Sequence, residues 1–222
     1  MFKRYEFVLS MEKVTLLSVM GNDLMVVNAA RVSFAKESSE FSQQDGKLIS
    51  YLATHNHTSP FFHPQIQFRL KMPIFVAREW YRHTVGFSRN EVSRRYVSDT
   101  PECWVPDLEQ FRERDPKAKQ GSKENEVGTS REARMVFDDT VRQAVKAYET
   151  MLEMNVAPEI ARCVLPQSMY TEFIETASLA AYARLYNLRN SPDAQREIQW
   201  YAREIGKVME EKFPVSWKAL TT

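Results

Sequence analysis

The sequence predicts an α+β fold, because strand-like patterns lie early in the chain and long helical patterns lie late. Apolar and polar residues alternate over Gln65–Met72, which is typical of a strand with one buried face. Farther along, apolar residues recur every three or four positions, as on the buried side of a helix. With 222 residues, 43% of them hydrophobic, the chain can bury a sizeable core, and we expect one domain over residues 1–222.

The first predicted elements are a strand and two helices. Glu12–Met20 is rich in β-forming residues and stops at Gly21, which indicates a turn. Asn22 is a favourable N-cap for a helix that continues to Phe34. A polar loop follows, and a second helix is predicted for residues 47–55.

The alternating strand ends at Pro73, and proline is favoured at the first position of a helix. Ile74–His83 has no helix breaker, so we expect a helix there. On that helix Glu79, Arg82 and His83 have the spacing i, i+3 and i+4, which places them on one face.

The second half of the chain is predicted to be helical after a polar insertion. Residues 113–134 are almost wholly polar, which is typical of an irregular insertion loop. One helix carries an apolar stripe over residues 137–151, and another helix is expected over residues 168–188. The last stripe covers residues 198–213. We assign these stripes to the core.

Composition argues against several classes of protein. The 30 Lys and Arg residues are balanced by 29 Asp and Glu residues, so a net charge of +1 gives no long-range field to attract nucleic acid or a membrane. Cys103 and Cys163 form neither a disulfide framework nor a zinc motif, which fits a reducing cytoplasm. Met1–Glu6 is interrupted by charge, and no apolar run approaches the roughly 18 residues that span a bilayer. We expect a cytoplasmic protein that binds neither nucleic acid nor membrane.

The segment Arg82–Tyr96 has the strongest chemical signal. It combines four arginines, one histidine, two serines and a single acid. Arginines bind phosphate through paired N–H groups, hydroxyls add hydrogen bonds, and a carboxylate can hold a ribose hydroxyl or a ring N–H. A nucleotide requires this mixture. A solvated basic loop has the same composition, and spacing alone does not separate the two interpretations.

Three smaller features each allow two interpretations. Three histidines between residues 55 and 63 could line a pocket, but a metal site would need further ligands, so we expect backbone hydrogen bonds and no metal. Arg162 and Cys163 lie in an apolar segment between prolines, where an arginine must find an anion and a cysteine is commonly buried and structural. Arg189 ends a predicted helix, where it could cap the helix dipole.

Taken together, these residues form an ordered set of blocks that resembles the flavin-dependent thymidylate synthases. The family motif is Arg-His-Arg, seven residues and Ser, and Arg82–Ser93 is its counterpart. Because the blocks keep the family order from residue 20 to residue 189, the resemblance is more specific than the motif alone. The blocks are Met20–Leu24, Ala29–Phe34, His57–Pro60, Pro73–His83, Asn90–Ser93 with Arg95-Tyr96, Ala161–Pro166 and Asn187–Arg189.

The resemblance implies a mixed sheet with long helices, assembled as a homotetramer whose active sites draw residues from several subunits. Arg189 is at the position of the arginine that polarises the uracil ring, so it is the expected catalytic residue. The resemblance assigns the substrate dUMP to Glu79, Arg82, Glu91, Ser93, Arg95, Arg162 and Arg189. It assigns FAD to Ser59, Arg82, His83, Thr84, Glu91, Ser178 and Arg184.

The resemblance also implies the reaction. NADPH reduces FAD, 5,10-methylenetetrahydrofolate gives the one-carbon unit, and reduced flavin supplies hydride to the uracil. No cysteine nucleophile is needed, and Ser93 is assigned to binding because no base is evident that would activate it. The chain has no glycine-rich dinucleotide fingerprint, so FAD and NADPH would be bound differently from a Rossmann fold.

The chain departs from the family pattern mainly at positions expected to contact flavin. Thr84 is at the position of the second motif arginine, and eight residues rather than seven separate it from Ser93. Arg89, in the lengthened turn, is the expected replacement. Glu79 is at a position usually held by Gln. Ser178, Ala180 and Arg184 are at positions where many members have Asn, Arg and Asn. These departures indicate a subfamily with rearranged contacts to the cofactor.

Two other functions stay open on the sequence alone. A non-catalytic nucleotide-binding relative that has lost flavin would explain Thr84, Ser178 and Ala180. A nucleic-acid-binding module could use the arginines of Arg82–Tyr96 with aromatic residues such as Tyr81, although the near-zero net charge argues against it.

Overall fold

Strands and helices alternate along the residues described by the structure, a computed structural model that covers residues 13–97, 99–117 and 121–221. The elements are β1 (Lys13–Met20), α1 (Asp23–Arg31), α2 (Gln43–Thr54), β2 (Gln65–Pro73), α3 (Ile74–Trp80), β3 (Phe87–Glu91), β4 (Arg112–Arg114), β5 (Ser122–Glu126), α4 (Ser130–Glu153), α5 (Pro158–Ala161), β6 (Tyr170–Ser178), α6 (Leu179–Arg189), α7 (Arg196–Lys212) and α8 (Pro214–Thr221). Four strands form a sheet in the order β1-β2-β6-β3, and β4 pairs with β5 in an antiparallel hairpin. The predicted α+β fold is confirmed.

The chain divides into two compact units that alternate along the sequence. Of the described residues, the first unit contains residue 13, Lys71–Arg78 and those between residues 91 and 172. The second contains Val14–Leu70, Glu79–Asn90 and residues 173–221. The expectation of one domain over residues 1–222 stays a prediction. The expectation about the N-terminal residues Met1–Glu6 lies outside the described residues, as does Glu12 at the start of the predicted first strand.

The second unit contains most of each strand of the four-stranded sheet and a layer of helices. Side chains of β2 alternate as predicted, with Ile66, Phe68 and Leu70 fully buried. The predicted stripe of α7 is also in the core: Ile198, Tyr201, Ala202, Ile205, Met209 and Phe213 are buried, and Val208 is half-buried. Amphipathic patterns therefore predicted both elements correctly.

In the second unit, one carboxylate joins the start of α1 to the start of α8. Asp23, at the start of α1, accepts hydrogen bonds of 2.9 Å from the backbone N–H groups of Val215 and Ser216, at the start of α8. These N–H groups have no partner within their own helix, and a carboxylate at a helix start is favoured by the helix dipole. Asn22 caps α1 through Met25 at 3.2 Å, as predicted.

The first unit is built on α4 and the β4–β5 hairpin. The apolar stripe predicted for residues 137–151 is confirmed, since Val141, Val145 and Tyr148 are buried. The prediction of an irregular loop over residues 113–134 is wrong in part. Arg112–Arg114 and Ser122–Glu126 form a hairpin, and α4 begins at Ser130, although residues 118–120 of the predicted loop lie outside the described residues. Short strands of charged residues lack the apolar alternation on which the prediction relied.

The predicted helix over residues 168–188 is wrong for its first half. Tyr170–Ser178 is the strand β6, which lies between β2 and β3 in the sheet, and only Leu179–Arg189 is helical. Thr171, Phe173 and Glu175 are buried on this strand, whereas Ile174 is exposed, so the period is two. Ser178 separates the elements, because its hydroxyl accepts a hydrogen bond of 3.2 Å from the N–H of Ala181 as an N-cap.

Two other helix boundaries differ from the prediction. α2 begins at Gln43 rather than Lys47, because Ser42 and Asp45 form a capping box in which the Asp45 carboxylate accepts from the Ser42 N–H at 2.6 Å. α3 ends at Trp80, so Arg82 and His83 lie in the turn after it rather than on its face. Within the described residues, no helix has both the length and the apolar character needed to cross a membrane.

Candidate active site

A cavity of about 350 Å³ in the first unit is lined by the end of β3, the 3-10 turn Arg162–Val164 and the start of β6. This volume suits a small-molecule ligand. The Val92 N–H donates to the Glu172 carbonyl at 2.9 Å, which holds the chain beside β6 as it leaves β3. The polar residues of the lining are Glu91, Ser93, Arg94, Arg162, Cys163 and Thr171.

Three of the residues predicted to bind the substrate line this first-unit cavity, namely Glu91, Ser93 and Arg162. The Glu91 carboxylate accepts a hydrogen bond of 2.5 Å from the hydroxyl of Thr171. Arg95, the fourth predicted substrate residue in this unit, is not in the lining. Its Nε lies 3.9 Å from the Glu159 carboxylate, and both side chains are more than half exposed.

Arg162 is exposed, which corrects the prediction that it lies amid core residues. The segment between the prolines forms one short turn of α5 and a 3-10 turn, too short to bury its outer side chains. Among the described residues, the Arg162 guanidinium has no ion-pair or hydrogen-bond partner, whereas Arg94 is held by the Asp99 carboxylate at 2.6 Å. Arg162 is therefore the cation of the cavity that can bind an incoming anion.

The two cysteines have opposite environments. Cys163 is exposed and lines the first-unit cavity, so the prediction of a buried structural cysteine is wrong for it. Cys103 is less accessible, and burial raises the pKa of its thiol to about 12. Because the thiolate is the reactive form, Cys103 should resist alkylation under conditions that modify an exposed thiol.

In the second unit, Arg189 contacts Glu79 and His83. Arg189 is the last residue of α6, and its Nε donates to the Nε2 atom of His83 at 2.9 Å. Its Nη1 binds the Glu79 carboxylate and its Nη2 binds the Glu79 carbonyl, each at 3.1 Å. These three contacts, hereafter the Arg189 cluster, go beyond a helix cap because they fix the plane of the guanidinium.

His83 in this cluster is neutral at ordinary pH. Burial, followed by the positive charges of Arg189, Arg89, Arg184 and Arg82, lowers the pKa of His83 to about 4. An imidazole that accepts a hydrogen bond at Nε2 carries its proton on Nδ1. The cluster therefore presents one Arg cation, one Glu carboxylate and one neutral ring.

Arg89 binds Glu175 and the His83 carbonyl, so its guanidinium is used within the protein. This is contrary to the expectation that Arg89 replaces the missing motif arginine. Its Nε binds the carboxylate of Glu175, a fully buried residue of β6, and its Nη1 donates to the His83 carbonyl at 2.5 Å. Trp80 donates to the same carboxylate at 3.1 Å. Burial raises the pKa of Glu175, although Arg89 opposes this shift. The sequence did not indicate a role for Glu175, because its segment is predicted to be helical and a helix would not direct it toward Arg89.

The turn Thr84–Gly86 packs on the start of α6, also in the second unit. A Cβ at Gly86, where φ is +82°, would lie 3.1 Å from the Ala181 Cβ and 3.5 Å from the Ser178 hydroxyl. Arg184 reaches this turn from α6, and its Nη2 donates to the Val85 carbonyl at 2.8 Å. The predicted cofactor residues Thr84, Ser178 and Arg184 therefore come together, but Ser178 is buried as the cap of α6.

Three predicted cofactor residues in this unit, Ser59, Arg82 and Thr84, are exposed, whereas His83 is half-buried. Ser59 begins a 3-10 helix that ends at Phe62, and the Phe62 ring lies 5.9 Å from the guanidinium carbon of Arg184. Arg82 and Thr84 are exposed in the turn after α3. Exposed arginine and hydroxyl groups are the hydrogen-bond donors that a phosphate-containing cofactor needs. No group of three or more His, Cys, Asp or Glu residues that could hold a metal occurs among the described residues.

Comparison with known proteins finds close relatives over nearly the whole chain. Residues 15–215 match the family described as thymidylate synthase complementing protein. A flavin-dependent thymidylate synthase of Kosmotoga olearia is 40% identical over 207 residues, which cover 93% of this chain and 88% of the relative. A flavin-dependent thymidylate synthase of Thermus thermophilus is 40% identical over 206 residues, 93% of this chain and 74% of the relative.

Solved structures give a similar result. The UMP/dUMP methylase PolB from Streptomyces cacaoi, bound with 5-Br dUMP, has a TM-score of 0.86 and 30% sequence identity, and the match covers 96% of this chain and 95% of that chain. The same protein bound with 5-Br UMP has a TM-score of 0.84 and 29% identity, over 96% of this chain and 94% of that chain.

The low pKa of His83 predicts how stability depends on pH. Because the folded pKa of about 4 lies below the ordinary value of 6.5, the unfolded state binds more protons between these values. The contribution of His83 is complete above pH 6.5 and is lost as the pH falls toward 4. NMR titration should show the His83 ring protonating well below pH 6, and His83→Gln should flatten the rise of urea midpoint between pH 4.5 and 7. A His83 ring that titrates near 6.5 contradicts this assignment.

Proposed function

The chain belongs to the flavin-dependent thymidylate synthase family, and from that membership we infer that it is a methyltransferase that converts dUMP to dTMP with FAD as cofactor. The structural observation that best supports this function is the first-unit cavity. Three of the residues that the resemblance assigned to dUMP line that one cavity: a free guanidinium, a hydroxyl and a carboxylate.

The lining groups suit the parts of a nucleotide. The Arg162 guanidinium and the Ser93 hydroxyl suit the phosphate, because arginine binds phosphate oxygens through paired N–H groups. Glu91 suits a sugar hydroxyl or a ring N–H, since a carboxylate only accepts hydrogen bonds. Arg95, two residues after Ser93, is assigned with them. Glu79, Arg82 and Arg189 complete the proposed set, in a family whose active sites are shared between subunits.

Arg189 is the proposed catalytic residue. A guanidinium held in a fixed plane stabilises negative charge that develops on the uracil ring, and it does so without reorganising during the reaction. His83 and Glu79 provide that fixation by binding three of its nitrogen atoms. Glu79 also offsets its charge, which a glutamine at this position would not do.

The second unit has residues that fit FAD. The proposed contacts are Ser59, Arg82, His83, Thr84 and Arg184, with Glu91 from the first unit, and Ser178 acts through the start of α6 that it caps. Gly86 allows the turn that carries Thr84 to pack closely on α6, because a Cβ there would lie 3.1 Å from the Ala181 Cβ. When bound, FAD supplies the hydride, with NADPH as its source and 5,10-methylenetetrahydrofolate as the one-carbon donor.

Arg184 is proposed to take over the role of the missing motif arginine. Thr84 has no charge, and Arg89 is used by Glu175, so neither of them supplies the second cation of the motif. Arg184 enters the same turn from α6 and binds the Val85 carbonyl, with the rest of its guanidinium exposed. In this proposal, the second cation of the site is on α6, which packs against the loop, rather than in the loop itself.

Several further properties are proposed from family membership. The chain assembles as a homotetramer, and exposed apolar residues such as Val32 and Phe34, at 72% and 76% exposure, provide surface for self-association. Two free cysteines support a reducing compartment such as the cytoplasm. The relatives are named flavin-dependent enzymes, so a relative without flavin and a nucleic-acid-binding module are not supported.

Turnover assays test the function. With FAD, NADPH, 5,10-methylenetetrahydrofolate and dUMP under anaerobic conditions, the protein should form dTMP, measured by chromatography. Arg189→Ala should lower kcat by roughly 100-fold or more, as loss of one preorganised donor does elsewhere. Arg189→Lys is the control that keeps the positive charge. Thermal melting of both variants shows whether they are folded. Retained turnover in a folded Arg189→Ala protein refutes the catalytic role.

UMP is the second candidate substrate, because the Streptomyces cacaoi protein is a UMP/dUMP methylase. The same assay with UMP in place of dUMP decides between them. Formation of 5-methyl-UMP with a kcat/KM similar to that for dUMP would show a broader methylase, and the absence of bound FAD together with the absence of either product would refute the proposed function.

Cys163 offers a direct test of the first-unit cavity as the dUMP site. Because Cys163 is exposed in the lining, iodoacetamide should modify it, whereas the less accessible Cys103, whose pKa is raised to about 12, should react far more slowly. Saturating dUMP should slow the modification of Cys163 by about tenfold or more and leave Cys103 unchanged, as read by peptide mass spectrometry. Deoxyuridine, which lacks the phosphate, is the matched ligand control. Equal rates with and without dUMP would place dUMP elsewhere.

A charge swap tests the role of Arg184. Arg184→Ala should raise the Kd for FAD by about 10- to 100-fold, the range for one charged hydrogen bond, without changing the melting temperature. Adding Thr84→Arg to that variant should restore most of the affinity, measured by flavin fluorescence. Arg142→Ala, which removes an exposed arginine paired only with Asp139 among the described residues, is the control. Unchanged FAD affinity in Arg184→Ala contradicts the proposal.

A further inference from the structure

Thr171 is a buried polar residue of β6 that the sequence did not single out. Only 4% of it is exposed, and its hydroxyl donates a hydrogen bond of 2.5 Å to Oε1 of Glu91, a residue 80 positions earlier in the chain. Both residues line the first-unit cavity. A buried hydroxyl is therefore aimed at the one carboxylate of that lining.

The hydrogen bond leaves the other half of the carboxylate for a ligand. The Thr171 hydroxyl has one proton, and that proton is used on Oε1 of Glu91. Oε2 of Glu91 remains as an acceptor in the cavity. A glutamate side chain has several rotatable bonds, and fixing one oxygen before the ligand arrives removes part of the conformational entropy that binding would otherwise lose.

The bond is not needed to pair the strands. The backbone N–H of Val92 already donates to the carbonyl of Glu172 at 2.9 Å, one residue farther along each segment. β3 and β6 are also hydrogen-bonded neighbours in the four-stranded sheet. The side-chain bond between Thr171 and Glu91 therefore determines where a carboxylate points rather than where a strand lies.

We propose that Thr171 is a positioning residue for substrate binding: it orients the Glu91 carboxylate so that Oε2 accepts a hydrogen bond from a sugar hydroxyl or ring N–H of the nucleotide. This inference rests on the proposed function, in which Glu91 binds dUMP. It adds a residue that acts only through Glu91 and does not itself touch the reacting atoms.

The test is a double-mutant cycle on dUMP binding. Thr171→Val keeps the β-branched shape and removes the hydroxyl, and it should raise the KM and the calorimetric Kd for dUMP by about tenfold, with kcat within about twofold of wild type. Thr171→Ser keeps the hydroxyl and should restore binding. In a Glu91→Ala background, Thr171→Val should have no further effect on the Kd, because its partner is gone.

Thr176→Val is the matched control on the same strand, since the Thr176 hydroxyl accepts from the Gln67 amide at 2.9 Å and should leave dUMP binding unchanged. If Thr171→Val binds dUMP as wild type does, or if its effect adds fully to that of Glu91→Ala, the inference is overturned while the function stands. If the wild-type protein binds no dUMP, both fall.

Discussion

Glu175 is a carboxylate with no exposed surface, and a buried charge of this kind requires a partner. Arg89 is that partner, and its position determines what lies around it. One nitrogen of its guanidinium binds Glu175 and another binds the carbonyl of His83, so the turn after α3 must satisfy both bonds. The same turn carries the His83 ring to Arg189. The orientation of the proposed catalytic arginine therefore depends on an ion pair in the core.

The same ion pair distinguishes the arginines of the basic segment Arg82–Tyr96 from one another. The segment supplies two kinds of arginine. Arg89 lies in β3 with only 15% of its side chain exposed and serves the core. Arg82 is exposed in the turn and is available to ligands. Because Arg89 is bound to Glu175 and His83, the proposed function assigns the second cation to Arg184, on a different element. The composition of the segment could not reveal this division, because exposed and buried arginines look alike in sequence.

Periodicity predicted the elements that have one buried face and failed where a partner distant in sequence determines the structure. β2 and α7 each contribute a single apolar face, and both were predicted within a few residues. β6 was read as helix because Phe173, Ala177 and the apolar residues of α6 form one continuous run, which periodicity cannot divide. Thr171 and Glu175 had no local signal, since their partners lie 80 and 86 residues earlier. The family resemblance supplied the proposed ligand-binding residues, but not the residues that hold them in place.

The cap that Asp23 provides for α8 has a consequence during protein synthesis. The carboxylate near the start of the second unit binds N–H groups 192 and 193 residues later, and α2 packs on α8 in the same unit. Contacts of such long range form slowly and only after every participating segment exists. A nascent chain that has not yet reached residue 214 lacks α8, so the faces of α1 and α2 that pack on it stay uncovered until then. Translation that stalls before this point would leave apolar surface exposed, which is the condition under which chains aggregate.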